Sequence, residues 1–271
     1  MKQILHLLFI FNTLYSFAQN SAALSAGARG AGMANASVTL TDIHSIFSNQ
    51  AGLAHLSQFT TTAFAEQRFL VKELQTVSAA AALPTPSGTF GVTVHHFGFE
   101  GFNEQKFGVA YARRLLDGLS IGAQFLLLNT SIPEYGNKMN VTFELGMLTQ
   151  LLPQLQLGAH VYSPVQIELA NGENLPTIFK IGLAYLPSEK LTCNLEVEKD
   201  IAFPARTKFG IEYQVVEQVQ LRTGIATNPT TLAFGAGYRL NNGLALDVAS
   251  SYHQLLGFTP TVGFLYVFKK K

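Results

Sequence analysis

Leu119-Ser120-Ile121-Gly122-Ala123-Gln124-Phe125-Leu126-Leu127 decides the fold. Successive side chains of an extended chain point to opposite sides. Leu119, Ile121, Ala123, Phe125 and Leu127 therefore share one face, and Ser120, Gly122, Gln124 and Leu126 share the other. The pattern recurs along the chain. Phe179, Ile181, Leu183 and Tyr185 alternate with Lys180, Gly182 and Ala184, and Phe209, Ile211, Tyr213 and Val215 with Lys208, Gly210, Glu212 and Gln214. Leu232, Phe234, Ala236, Tyr238 and Leu240 continue it, and Val262, Phe264, Tyr266 and Phe268 close it. From Gln58 onward no helical period competes.

Fourteen such segments begin near Phe59, Leu74, Thr89, Glu104, Leu119, Met139, Leu155, Thr177, Leu191, Arg206, Val219, Thr231, Leu244 and Thr259. That leaves roughly fifteen residues per strand and connection, which suits tilted membrane strands of ~9–11 residues. The connections alternate in style. Thr85-Pro86-Ser87-Gly88, Leu116-Asp117-Gly118 and Asn241-Asn242-Gly243 are tight, whereas 129–138, 163–176 and 252–258 are longer. Short turns on one rim and longer loops on the other are the outer-membrane barrel arrangement.

A soluble β-sandwich also alternates, with its apolar face inward. The charges decide between the two. Lys106, Glu144, Lys180, Glu196, Glu198, Lys208, Glu212, Arg222, Arg239 and Asp247 all fall on the parity opposite the large apolar residues, and His160 joins them. A Lys or Arg facing lipid at mid-depth costs ~2–4 kcal/mol, so these side chains are expected to line a lumen. Glu66 and Arg113 break the parity near strand ends.

Composition agrees. Charged residues make up 13% of the chain, about half the ~25% of an ordinary soluble domain. With 18 Lys+Arg against 17 Asp+Glu there is no basic face for nucleic acid. One cysteine excludes a disulfide framework or a cysteine metal cluster. Residues 1–18 carry Lys2, an apolar run from Ile4 to Leu14, and Ser16-Phe17-Ala18 before Gln19, the layout of a secretory signal peptide. The expected organisation is a signal peptide over 1–18, an N-terminal plug segment with a short helix over 19–57, and a single antiparallel transmembrane barrel over 58–271. Thr41-Asp42 is placed to cap that helix from Ile43 to Asn49, ending at Gly52.

The N-terminal segment carries the one extended motif, Gly27 to Ala54. Its glycines suit close packing in a barrel mouth. GARGAG has neither a preceding strand nor a following Lys-Ser/Thr, which argues against a phosphate loop. Ala28-Arg29-Gly30-Ala31-Gly32-Met33-Ala34-Asn35-Ala36-Ser37-Val38 and Ser48-Asn49-Gln50-Ala51-Gly52-Leu53-Ala54 resemble the N-terminal signature of the FadL-like outer-membrane barrel superfamily, most closely its PorV/PorQ-like branch. Gln50 stands where that family usually has Pro. Arg29, Gly30, Gly32, Met33, Asn49 and Gly52 carry the match. The resemblance implies a fourteen-stranded barrel with its N-terminus inside.

It also implies two functions. The favoured expectation is a component or partner of a type IX-like secretion or surface-attachment system. The alternative is passage of hydrophobic small molecules across the outer membrane, which calls for an apolar capture loop; Gln254-Leu255-Leu256-Gly257-Phe258 is the fair candidate. The expected partners are outer-membrane lipid, with secretion proteins or a hydrophobic molecule; no cofactor is expected. Catalysis finds no constellation. His95-His96 face opposite sides of a strand and cannot chelate together, and no GxSxG elbow occurs. Cys193 sits on the lipid parity.

Overall fold

The computed structural model describes residues 25–133, 136–168 and 174–269. The expected signal peptide and residues 19–24 lie outside the described residues. Fourteen antiparallel strands close into one barrel, in which each strand pairs with its sequence neighbours and β1 pairs with β14. The strands are β1 Thr60–Gln67, β2 Gln75–Thr85, β3 Gly88–Phe99, β4 Phe102–Leu116, β5 Leu119–Ile132, β6 Gly136–Leu152 and β7 Leu155–Tyr162. The others are β8 Ile178–Ser188, β9 Leu191–Asp200, β10 Arg206–Val216, β11 Val219–Ala226, β12 Thr231–Arg239, β13 Leu244–His253 and β14 Gly257–Val267. The closing pair runs from Thr60 opposite Val267 to Glu66 opposite Thr261.

Alternation places the side chains as hydrocarbon requires. Phe90, Phe107, Phe125, Phe179, Phe209, Phe234 and Phe264 stand exposed on the outer surface, Phe125 at 56% and Phe234 at 58%. Lys106, Glu144, Lys180, Glu196, Lys208, Glu212, Arg222 and Asp247 are buried on the inner face. An apolar outside with charges inside is the reverse of a soluble domain, and it fits a wall that crosses a bilayer. Closure also satisfies the backbone, since no sheet edge is left to face lipid. Among the described residues no helix is long and apolar enough to span a membrane.

Two expectations need correction. Glu66 does not break the inside–outside pattern: it is buried in the lumen beside Thr60, Thr62 and Phe64. Phe64 lies on the same parity: a large apolar side chain, it points inward and meets Phe47 edge-on at 5.3 Å. The two rims are also less unequal than expected. Between β3 and β4 only Glu100 and Gly101 intervene, and β5 and β6 extend into what reads as a long loop. The longer connections are residues 68–74 and 163–177.

The core lies inside the barrel. Ile43, Ile46, Phe47 and Leu53 of the N-terminal segment pack against Phe64, Ala80, Ala82, Ala110 and Ala112 of the wall. The segment begins with a short helix, Gly27–Ala31, and continues through two 3₁₀ turns, Ile43–Phe47 and Gln50–His55. The helix expected over Ile43 to Asn49 is a 3₁₀ turn over Ile43–Phe47, and a separate turn follows over Gln50–His55. Asp42 caps the first by accepting from His44 N–H, and Asn49 caps the second by accepting from Ala51 N–H. Gly52 lies within the second turn and does not end the first.

Candidate functional site

The N-terminal segment touches the wall where the wall has no side chains. A Cβ on Gly122 of β5 would stand 2.4 Å from Ala51 N, one on Gly158 of β7 2.4 Å from Val38 O, and one on Gly224 of β11 2.4 Å from the Met33 carbonyl carbon. Gly146 faces Asn49, Gly210 faces Met33 and Gly182 faces Val38 in the same way. Strand pairing sets these glycines side by side, Gly122 opposite Gly146, Gly158 opposite Gly182, and Gly210 opposite Gly224. The small residues of the alternation thus form a belt of bare backbone that admits the segment. The motif glycines match it: Gly32 lies against Gly235, and a Cβ on Gly52 would meet Leu40 O at 2.1 Å.

Charges then hold the segment. The Glu196 carboxylate accepts the backbone N–H groups of Ser37 and Val38, each at 2.8 Å. Lys208 Nζ donates to Glu196 at 2.8 Å, to Glu198 at 2.7 Å and to Asn35 O at 3.3 Å. Lys180 adds a longer contact to Glu198, 3.8 Å. Further round, Arg29 donates to both Glu212 oxygens, at 3.0 and 2.6 Å, and also pairs with Asp42. Arg222 bridges Glu212 and Asp247. Burial works against charge on Asp42, but Arg29 and His44 outweigh it and hold the carboxyl well below its usual range. Arg29, desolvated yet facing two carboxylates, stays firmly charged.

The opposite wall uses amides. Gln50 Nε2 donates to Glu144 and to Ile46 O, and His160 Nε2 contacts Glu144 at 3.0 Å. Asn49 Nδ2 donates to Val38 O at 2.7 Å and Met147 O at 2.9 Å. A proline at position 50 could not make the Glu144 contact, so the departure from the motif serves the local wall.

Beyond the segment, toward the rim of longer connections, the lumen turns apolar. Leu126 and Leu128 of β5 pack with Tyr162, Ile178, Leu175 and Ile167, the last two from the connection between β7 and β8. Two buried polar atoms nearby on the inner wall, Tyr162 OH and His95 Nε2, have no hydrogen-bond partner among the described residues. On the rim, Leu70 is 61% and Leu255 87% exposed, joined by Val71 and Leu256. Phe69, whose ring meets His253 at 5.8 Å, and Leu70 both hold a positive φ, 55° and 60°. Two consecutive non-glycine residues in that region store strain, a mark of functional loops. The 254–258 loop was readable from sequence; its Phe69-Leu70-Val71 neighbour was not, because the two meet only when β1 closes on β14.

The motif residues and most of the wall charges therefore come together in one layer. Met33 is fully buried against Gly210 and Gly224, and Gly30 packs on Ala26 and Asn35. Arg239 is the exception, exposed at the short-turn end of β12. His95 is buried while His96 points outward. Among the described residues no group of His, Cys, Asp or Glu could hold a metal ion.

No protein-family model matches the chain, and no curated protein does. Solved structures do. A FadL homologue from Pseudomonas aeruginosa superposes with a TM-score of 0.70 at 12% identity, covering 90% of this chain and 98% of that one. The toluene transporter TbuX of Ralstonia pickettii gives 0.67 at 11% identity, with 90% and 98% covered. The toluene transporter TodX of Pseudomonas putida gives 0.68 at 12%, with 91% and 98% covered. At such identities the likeness is one of fold.

Proposed function

We propose that this chain sits in the outer membrane of a Gram-negative cell and passes hydrophobic small molecules across it, with residues 25–57 as the plug. The observation that carries this reading is the Leu126, Leu128, Tyr162, Leu175 and Ile178 cluster inside the lumen, between the plug and the outer rim. A barrel that served only as a wall would line that space with polar side chains, as it does at Glu144 and Glu196. The exposed Leu70 and Leu255 supply an apolar landing at the rim. Neighbours of the same fold are described as toluene transporters, which supports passage over the PorV/PorQ-like secretion role expected from the motif. That role draws no support from the lumen.

Passage requires the plug to shift, because its backbone fills the glycine belt. The test is entry of the hydrophobic dye N-phenyl-1-naphthylamine into cells making equal amounts of the intact protein or its Leu126→Glu, Leu128→Glu variant. The intact protein should speed entry, and the variant should fall to the rate of cells lacking the protein. Equal rates for both would sink the reading; a changed profile of secreted proteins on deletion would favour the secretion role.

A further inference from the structure

On the outer face of the wall, strands β6 to β9 form a groove of about 470 Å³. Register sets its sides. Leu145, Val161 and Phe179 stand in one row and Met147, Ala159 and Ile181 in the next, all on the outward parity. The banks are large and exposed, Leu145 and Met147 on β6, Phe179 and Ile181 on β8. The floor is β7, where Ala159 and Val161 are half-buried between them. The banks stand two strands apart, roughly 10 Å from axis to axis. Once their side chains are in place, that width admits a single hydrocarbon chain but not an α-helix, which needs ~10–12 Å with its own side chains.

At the end of the groove nearest the longer connections stands Lys199, opposite Phe179 in register and exposed. Among the described strand residues of outward parity, Arg113 and Lys199 carry the charges, and they lie at opposite rims. The Lys199 ammonium donates to the Phe203 carbonyl, and among the described residues no carboxylate pairs with it. An ammonium carries three N–H donors, so that one contact fixes it at the rim without exhausting it. A cation facing hydrocarbon is costly at mid-depth and close to free at the membrane interface. There its stem lies along apolar surface while the charge reaches the headgroup layer. The headgroup that complements it is an anionic one, a phosphate. We infer that this groove is a binding site for a phosphate-bearing membrane lipid, its phosphate on Lys199 and one acyl chain lying along β7 over Ala159. The inference concerns the outside of the barrel and does not rest on hydrophobic passage through it.

The chain contains no tryptophan, so Phe179→Trp places a fluorescent reporter at the groove. Phe264→Trp places one on the outer face of β14, away from it. Each full chain is reconstituted in phosphatidylcholine vesicles. Quenching by brominated phosphatidic acid and by brominated phosphatidylcholine then gives their relative binding at the reporter. At position 179 phosphatidic acid should be preferred about fivefold, the effect of one lysine beside a membrane surface. At position 264 the two lipids should bind alike. Lys199→Gln should abolish the preference at 179, and Ala159→Phe, which fills the channel, should remove most of it. Folding of each variant is checked by heat-dependent gel mobility; all four positions face outward, so all should fold. Equal preference at 179 and 264 would overturn the inference, as would a preference that survives Lys199→Gln or is unchanged in Ala159→Phe. Quenching at 264 but by neither lipid at 179 would also overturn it, by showing that a second copy of the chain covers the groove.

Discussion

The backbone nitrogen of Ala51 lies 2.4 Å from the point where Gly122 would carry a Cβ. No side chain fits between β5 and the plug there, and the atom in the way is backbone, which cannot rotate aside. Gly122→Val should therefore leave strand pairing intact, since valine favours strands, while expelling the 50–55 turn from the wall. In a planar bilayer the variant should conduct more than the intact protein, approaching a chain that lacks residues 25–54. Conductance equal to that of the intact protein, in a barrel that is still heat-modifiable, would show that this turn does not seal the lumen.

Glu196 and Lys208 are 1% and 2% exposed at their side chains and form the deepest pair in the wall. Removing one partner of a buried pair leaves an uncompensated charge at a cost of ~3–5 kcal/mol. Lys208→Met should thus destabilise strongly, because Glu196 and Glu198 would face each other with the Ser37 and Val38 N–H groups, Lys180 and Arg206 as partial relief. Adding Glu196→Gln should restore much of the loss, since the amide oxygen can still accept from one of those N–H groups. Denaturant unfolding followed by gel mobility gives the double-mutant cycle. Strict additivity of the two variants would contradict the pairing.

The inside–outside assignment has its own test on one strand. Leu195 of β9 stands 46% exposed on the outer face, whereas Glu198 is on the inner one. Leu195→Arg places a cation in hydrocarbon near the middle of the strand, which costs ~2–4 kcal/mol. Glu198→Gln keeps a hydrogen-bond acceptor for Lys208 and leaves Glu196 in place. Insertion into liposomes should fail or slow for the first and proceed for the second. Similar behaviour of the two would invert the assignment.

The barrel was legible because a membrane wall writes its register into every strand. Expected and observed strand starts differ by at most three residues, Met139 against Gly136 being the widest gap. What escaped was whatever depends on contact across the lumen. Gly122 and Gly224 read only as small residues of the alternation; nothing local says that they face Ala51 and Met33 rather than water. Phe64 shares the parity of Glu66, and size alone cannot say that Phe47 waits inside. Leu126 shares the parity of Ser120 and Gln124, but its partners Leu175 and Ile178 lie in and just after a long connection. What the lumen charges hold escaped for the same reason. Arg29, Ser37 and Val38 belong to the segment, so the charges on β9 and β10 join wall to plug as well as strand to strand.

Acid should loosen that attachment through Asp42. Its folded carboxyl is held well below the usual range, with Arg29 and His44 outweighing the burial that opposes its charge. A depressed folded pKa contributes stability that is fully present above the unfolded value, ~3.9, and is lost as pH falls through the folded value. Asp42→Asn removes that contribution while keeping an oxygen to cap the turn at His44 N–H. The stability difference between the intact protein and this variant should be constant from neutral pH down to about 4 and should shrink steadily below it. The other carboxylates are present in both proteins and cancel to first order in the difference. Urea unfolding at a series of pH values, with protease access to the segment as the second readout, measures it. A difference that instead grows as pH falls toward 4 and is flat below it would show that the folded carboxyl is raised rather than depressed, and the Arg29 pairing would have to be redrawn.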